Sequence, residues 1–455
     1  MAELTATKSI LDWIYATRFE DLPADVRQTV GLALYDGLGC ALACSMLPVA
    51  HRLVDFVKIV GGPTDCTMIG FPSRTSVLNA AMVNGTLSHA DEVDAIDDFN
   101  TRGSHVLASS MAAAVTAGQL SGASGQQVMR AVVLGYEVSK RCHGVAALVQ
   151  RETGASGPFD EGNTMGAVVA AGISLGLPQD QMELALSLAG HLACGITPFN
   201  RETRHQTKSF TRGGMGAKNG VTAALMAKVD FDSPRDIFDG PKGFFHSYLG
   251  VADPGPGFLA GLGHEFSIRG LIFKRQSSGG GLQAPRQTLL EIMAENGLSS
   301  DDIADILVEM RPTDIDSYFS SPRHPAGCGD ALALAALHGG MGFREAHQAS
   351  FSQDPRVQEM RDRIQVQPRY DWQTGGFRTH TVVNITTRDG RKFRKESDYR
   401  RMTPEDLDDK FLYLVGLRTG GTKAEELARV LKGLEEVDNI AHVMVQLEFP
   451  EARME

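Results

Sequence analysis

Residues 22–44, LPADVRQTVGLALYDGLGCALAC, place apolar side chains at three- and four-residue spacing just behind a proline. That spacing lines them along one helix face, and proline suits a helix start. The same style recurs outward from this segment, in residues 77–90 (VLNAAMVNGTLSHA), 105–120 (HVLASSMAAAVTAGQL), 125–142 (GQQVMRAVVLGYEVSKRC), 165–177 (MGAVVAAGISLGL), 180–194 (DQMELALSLAGHLAC) and 217–229 (AKNGVTAALMAKV). Small residues dominate one face of each run, so helix axes can approach closely. Strand signals are almost absent up to residue 263. No fixed period marks a solenoid.

The character changes after Gly263. HEFSIRGLIF (264–273) alternates like a strand, 285–296 reads as a helix, and DIADILVEMR (302–311) as a strand. RIQVQPRY (363–370) follows, then a hairpin over 379–397 with Asp389-Gly390 as its turn. From MTPEDLDDKF (402–411) to 434 the pattern is helical again, with Thr403 as N-cap and Pro404 at the first helical position. The expected fold is mainly α: a large all-helical domain of residues 1–265 with 399–455, and a smaller α/β (α+β) lid domain of 266–398 inserted before the C-terminal helices. A groove between two such bodies is a usual place for a small-molecule site.

The 455 residues allow roughly two to four domains. With 42% hydrophobic and 22% charged residues, wholesale disorder is excluded. A net charge of −11 argues against nucleic acid as a partner, since phosphate neutralisation needs clustered Lys and Arg. It leaves room for an anionic small substrate in a local basic pocket. No stretch of 18 apolar residues predicts a membrane span, and the N-terminus lacks a signal-peptide pattern. The six cysteines form no secreted-type framework, so a cytoplasmic location is expected. Cys40 and Cys44 read as core residues without iron–sulfur spacing.

Three polar segments could carry chemistry. Residues 84–110 hold His89, Asp91, Glu92, Asp94, Asp97, Asp98, Arg102 and His105 between two apolar helices. A carboxylate-rich loop there either faces solvent or lines a cavity. His105, at a helix start, could act as a general base or acid near neutral pH, and the helix start favours the base role. In residues 205–225, Lys208 and Arg212 precede a glycine-rich helix entry suited to a carboxylate or phosphate, although the order is not that of a P-loop. In residues 273–283, Lys274 precedes two serines and three glycines, a flexible run rich in N–H donors. Each of these also reads as an ordinary solvated loop. No HxxxH or HExxH spacing supports a metal, and no GxSxG elbow supports a serine nucleophile. His143, His191, His246, His264, His324, His338 and His347 are isolated and read as structural, with His191 the best pocket-lining candidate among them.

In this order the segments resemble the MmgE/PrpD family, which includes 2-methylcitrate dehydratase, cis-aconitate decarboxylase and iminodisuccinate epimerase. The family motif N-G-x-x-x-H-x-x-[DE]-x-D matches Asn84, Gly85, His89, Glu92 and Asp94; the following helix-opening histidine matches His105. The family lysines match Lys208 and Lys274, and MTPEDLDDKF resembles the C-terminal segment ending in K-F. The resemblance runs over nearly the whole chain. It implies a homodimer and cofactor-free, metal-independent chemistry on a small di- or tricarboxylate, by proton abstraction next to a carboxylate. Glu92, Asp94, His105, Lys208 and Lys274 would be catalytic, with His89, Arg102, Arg212, Gln283, Asn163 and Thr164 on the substrate.

Two departures matter. Gly157 and Gly279 stand where family decarboxylases and dehydratases carry histidines. Decarboxylation of the cis-aconitate type is therefore disfavoured, and Asn163, Thr164 or Gln283 would read a bulkier substrate. The leading expectation is a hydro-lyase acting on a hydroxy-polycarboxylate. The alternatives are an epimerase or isomerase of the iminodisuccinate type and a carboxylate-binding member without catalysis.

Overall fold

The computed structural model of the chain describes residues 5–97, 105–154, 160–196, 198, 202, 205–312, 315, 328–340, 342–372 and 380–454. They are mainly helical, with a small four-stranded sheet in the second half. The opening segment is a helix over Ala24–Cys44, buried almost continuously from Ala33 onward. Deeper still is the Glu161–Ser174 helix, of which every residue is buried. The Val106–Ser121, Gly125–Thr153, Gln179–Leu192 and Gly216–Lys228 helices surround it. A helix apolar on all sides is stable only inside such a ring. Small residues permit the approach: a Cβ on Gly166 would sit 2.5 Å from the Gly135 carbonyl oxygen.

The sheet runs in the order Ile364–Pro368, Ile303–Met310, Thr381–Thr387, Lys392–Ser397. Ile303–Met310 pairs in parallel with Ile364–Pro368 and antiparallel with Thr381–Thr387. An irregularity between Ile303 and Asp305 shifts the register, and from Ile306 onward Ile306, Val308 and Met310 all face inward. They meet Leu289 and Ile292 of the Gln283–Glu295 helix in a second core. Each fully buried Leu, Ile or Val there contributes about 1.5–3 kcal/mol. The Pro404–Thr419 helix then packs on Ala24–Cys44, and Leu414 and Val415 join the first core. Thr403 accepts from the Asp406 N–H as N-cap, with Pro404 at the first position, as the sequence predicts.

Several elements differ from expectation. HEFSIRGLIF does not form a strand: Ser267–Gly270 is a short 3-10 turn, and only Ile272 makes an isolated antiparallel bridge, to Ile96. The C-terminal helix is broken at Gly420 (φ 84°) into Pro404–Thr419 and Gly421–Lys432. A small antiparallel pair, Cys66–Thr67 with Arg74–Thr75, interrupts the helical half. Among the described residues no single helix is long and apolar enough to cross a membrane.

Candidate active site

The site begins where the Val77–Leu87 helix ends. Asn84 is scaffold rather than chemistry. Its Oδ1 accepts from the Ile69 N–H at 2.9 Å and its Nδ2 donates to the Thr67 carbonyl at 3.0 Å. Gly85 is required by contact, since a Cβ there would lie 2.5 Å from the Gly213 carbonyl oxygen. That crossing sets the end of the Val77–Leu87 helix against Phe210–Met215, a π-helical turn between the short Gln206–Ser209 helix and Gly216–Lys228. π turns inside helices are frequent at functional sites.

The acidic turn is buried: Asp91 is 4% exposed, Glu92 6%, Asp94 5% and Asp97 fully enclosed. Burying carboxylates is unfavourable unless each is paired. Lys274 supplies much of the pairing, with its Nζ 3.2 Å from Glu92 and 3.5 Å from Asp94. Lys208 pairs with the other Glu92 oxygen, which His205 Nε2 also approaches at 2.8 Å. Asp94 receives two imidazoles, His105 Nδ1 at 2.8 Å and His89 Nδ1 at 3.1 Å. Those rings lie 3.9 Å apart. A carboxylate only accepts, so each neutral ring carries its proton on Nδ1 and keeps Nε2 as the basic nitrogen.

The electrostatics separate the groups. Burial works against ionising Glu92, but Lys208 and Lys274 outweigh it and hold its carboxyl well below the usual range. Asp94 follows the same pattern, burial being outweighed by His105, His89 and Lys274. Burial pushes His89 down to about 3 and His205 to about 4. It lowers His105 as well, against the pull of Asp94. The two lysines diverge. Lys274 is raised, because Glu92 and Asp94 overcome its burial. Lys208 is lowered by desolvation, partly offset by Glu92, and its side chain keeps 20% exposure.

Not every expected residue faces this cluster with a free side chain. Gln283 holds the 275–278 loop: its Oε1 accepts from the Arg275 and Gln276 N–H groups at 3.2 and 3.3 Å, and its Nε2 donates to the Gln276 and Ser278 carbonyls at 2.9 and 3.1 Å. Its amide, expected to read substrate, is engaged by the loop backbone in this structure. Asn163 is similarly held, its Nδ2 donating to the Arg212 carbonyl at 2.9 Å and its Oδ1 3.0 Å from His143. Thr164 Oγ1 is buried without a hydrogen-bond partner among the described residues. Arg212 is buried with Nε 3.4 Å from Asp160. Arg102, Asp98 and Gly157 lie outside the described residues. His191 is exposed, in the last turn of the Gln179–Leu192 helix.

Sequence reading missed His205, which sits three residues before Lys208 in a segment already under suspicion. It also missed His347, whose Nε2 is 2.5 Å from Asp91. His347 comes from the Phe343–His347 helix, 256 residues away in sequence, so no local pattern could have paired them.

Two triads, His89–Glu92–His205 and His89–Asp94–His105, bring ligand-type atoms within 4.8 Å of one another. Both use a carboxylate already paired with a lysine, so a cation would compete with an ammonium for the same oxygens.

Fold and site together define a helical scaffold holding a buried, lysine-compensated carboxylate–imidazole cluster. The MmgE/PrpD N-terminal domain matches residues 8–256 and the MmgE/PrpD C-terminal domain matches 277–436, and the chain belongs to this family. It is 27% identical over 293 residues to cis-aconitate decarboxylase of Aspergillus terreus, covering 59% of this chain and 56% of that protein. The chain thus spans just over half the length of that relative. It is 24% identical over 460 residues to cis-aconitate decarboxylase of Homo sapiens, covering 98% of this chain and 95% of that one. A cis-aconitate decarboxylase-like protein, oryM, of Aspergillus oryzae is 26% identical over 254 residues, with 53% and 51% covered.

Proposed function

We propose that this chain is a lyase acting on a small hydroxy-polycarboxylate, a hydro-lyase that works without metal or cofactor. The observation that carries this reading is the convergence of Lys274 on Glu92 and Asp94, at 3.2 and 3.5 Å, beside the His105 imidazole on the same Asp94. Lys208, Lys274 and Arg212 hold the substrate carboxylates. Asp94 fixes the tautomer of His105, whose Nε2 removes a proton from the carbon next to a carboxylate. The electron pair passes into that carboxylate, where the ammonium groups stabilise the developing enediolate. It then returns to form the carbon–carbon double bond as the β-hydroxyl leaves. The leaving oxygen needs a proton, and leaves as water. Glu92 and Asp94, held ionised, are poor resting donors, whereas the Lys208 ammonium, with its pKa lowered, is a good one.

The names of the relatives favour a second reading, loss of carbon dioxide from a cis-aconitate-like acid. Gly279, without an imidazole at the start of the 3-10 turn before Gln283, counts against it. The test is a panel of di- and tricarboxylic acids followed by NMR in deuterated water. Hydration or dehydration products support the first reading and decarboxylated products the second. Exchange of a substrate hydrogen with an unchanged skeleton supports an epimerase. Binding without turnover supports a non-catalytic carboxylate binder. We also propose a helical body of 1–265 with 399–455, a lid of 266–398, and a homodimer, as the resemblance implies. The cytoplasmic reading is supported by Cys40, Cys44, Cys66 and Cys142, all free and buried.

A further inference from the structure

The reactive cluster is gripped from outside by one later stretch of chain, residues 399–410. At its end, Lys410 is 7% exposed; its Nζ donates to the Val93 carbonyl at 2.7 Å and pairs with Asp36 at 2.5 Å. Val93 is the residue between Glu92 and Asp94. At its start, the Tyr399 hydroxyl donates to the Phe273 carbonyl at 3.0 Å and accepts from the Arg275 N–H at 3.1 Å. Those two backbone groups flank Lys274. Between the two grips, Asp406 pairs with Arg275 at 2.7 Å. The runs being gripped are themselves joined by the Ile96–Ile272 bridge, with N–H to carbonyl distances of 2.8 and 2.9 Å. So one segment holds the backbone beneath both carboxylates and the backbone on either side of their lysine.

The Lys410–Asp36 pair is costly in this setting. Asp36 sits mid-helix in the first core, and its Oδ2 is buried without a hydrogen-bond partner among the described residues. Apolar residues of like volume would often be as stable or more so, and a buried pair is sometimes kept for conformational specificity. Here the specificity has a visible object, the Val93 carbonyl, which no apolar side chain could hold.

We propose that Lys410 and Tyr399 are positioning residues that set the separation of Lys274 from Glu92 and Asp94. This rests on the proposed function, in which that cluster carries the reaction. The test compares Tyr399→Phe, which removes one oxygen, and Lys410→Met made together with Asp36→Asn to avoid an orphaned charge, with Lys410→Arg as the conservative variant. All are made in the full chain labelled with 13C in the histidine rings. The His105 ring signal is assigned from its loss in His105→Gln. For the acid that the wild-type chain turns over, kcat falls about tenfold or more in Tyr399→Phe while KM stays within about threefold, since a misplacement of about 1 Å can cost 10²-fold. Lys410→Arg recovers part of the loss, and the His105 signal shifts in both defective variants. A folded Tyr399→Phe with wild-type kcat and an unmoved His105 signal overturns the proposal. If the wild-type chain turns over no acid, the functional reading fails by itself, and the His105 signal alone then decides whether the grip positions the cluster.

Discussion

His105 and His205 stand at the same place in their respective helices. Each is the residue just before the first turn, each has φ 53°, and each puts a ring nitrogen 2.8 Å from a different buried carboxylate, Asp94 for His105 and Glu92 for His205. A left-handed conformation is uncommon outside glycine and costs on the order of 1–3 kcal/mol. Asparagine tolerates it well, so His→Asn tests the ring with little change in backbone preference. His105→Asn is expected to abolish turnover with a melting temperature within a few degrees of wild type. Wild-type rates in that variant would remove His105 from the chemistry.

Lys208 is the cation of the cluster with most access to solvent, and in the proposed reaction it is shared between Glu92 and the incoming anion. Lys208→Ala is expected to weaken binding of an anionic substrate by about 1.5–3 kcal/mol, the scale of a hydrogen bond to a charged group. Calorimetric titration with the substrate of the panel measures it, and an unchanged dissociation constant makes Lys208 a structural partner of Glu92 only.

Lys274 differs in being enclosed and held charged by Glu92 and Asp94. Lys274→Met leaves Glu92 and Asp94 short of a counter-ion in the interior. Removal of one partner from a buried pair typically costs about 3–5 kcal/mol. Urea unfolding of this variant should show a loss on that scale; a change below about 1 kcal/mol means that water reaches the carboxylates more freely than the geometry indicates.

Acid should destabilise the fold earlier than carboxylate protonation alone would dictate. His89, His143 and His205 are pushed by burial to about 3, 4 and 4 from an ordinary 6.5. Between pH 6.5 and about 4 the unfolded chain binds protons that the folded chain does not, so stability is complete above 6.5 and falls as pH drops. The slope is up to about 1.4 kcal/mol per pH unit for each histidine. Glu92 and Asp94, whose folded pKa values are depressed, add a further loss below pH 4.5. Unfolding free energies at pH 7.5, 6.5, 5.5 and 4.5 decide the matter, and a flat profile over that range refutes the buried-neutral assignment.

The sequence made the helical half readable because apolar periodicity and small residues report directly on burial, as in Ala24–Cys44 and Val106–Ser121. It also pointed to the loops at 84–110, 205–225 and 273–283, although each read equally well as an ordinary solvated loop. Contacts over long separations stayed hidden. Nothing in the neighbourhood of His347 points to Asp91, and nothing around Lys410 points to Val93. Gln283 is a related case: its polarity is plain in the sequence, but its engagement by the 275–278 backbone is not. The 264–273 segment alternates like a strand, yet only Ile272 finds an edge to pair with.

Phe273 and Tyr399 touch where the chain enters and leaves its sheet-bearing half, so one phenol staples the two connecting stems together. A further tie comes from far along the sequence, where Phe343 packs in the first core and His347 reaches Asp91. The sheet-bearing half is therefore moored at its entry, its exit and its middle, and the acidic turn is touched from all three.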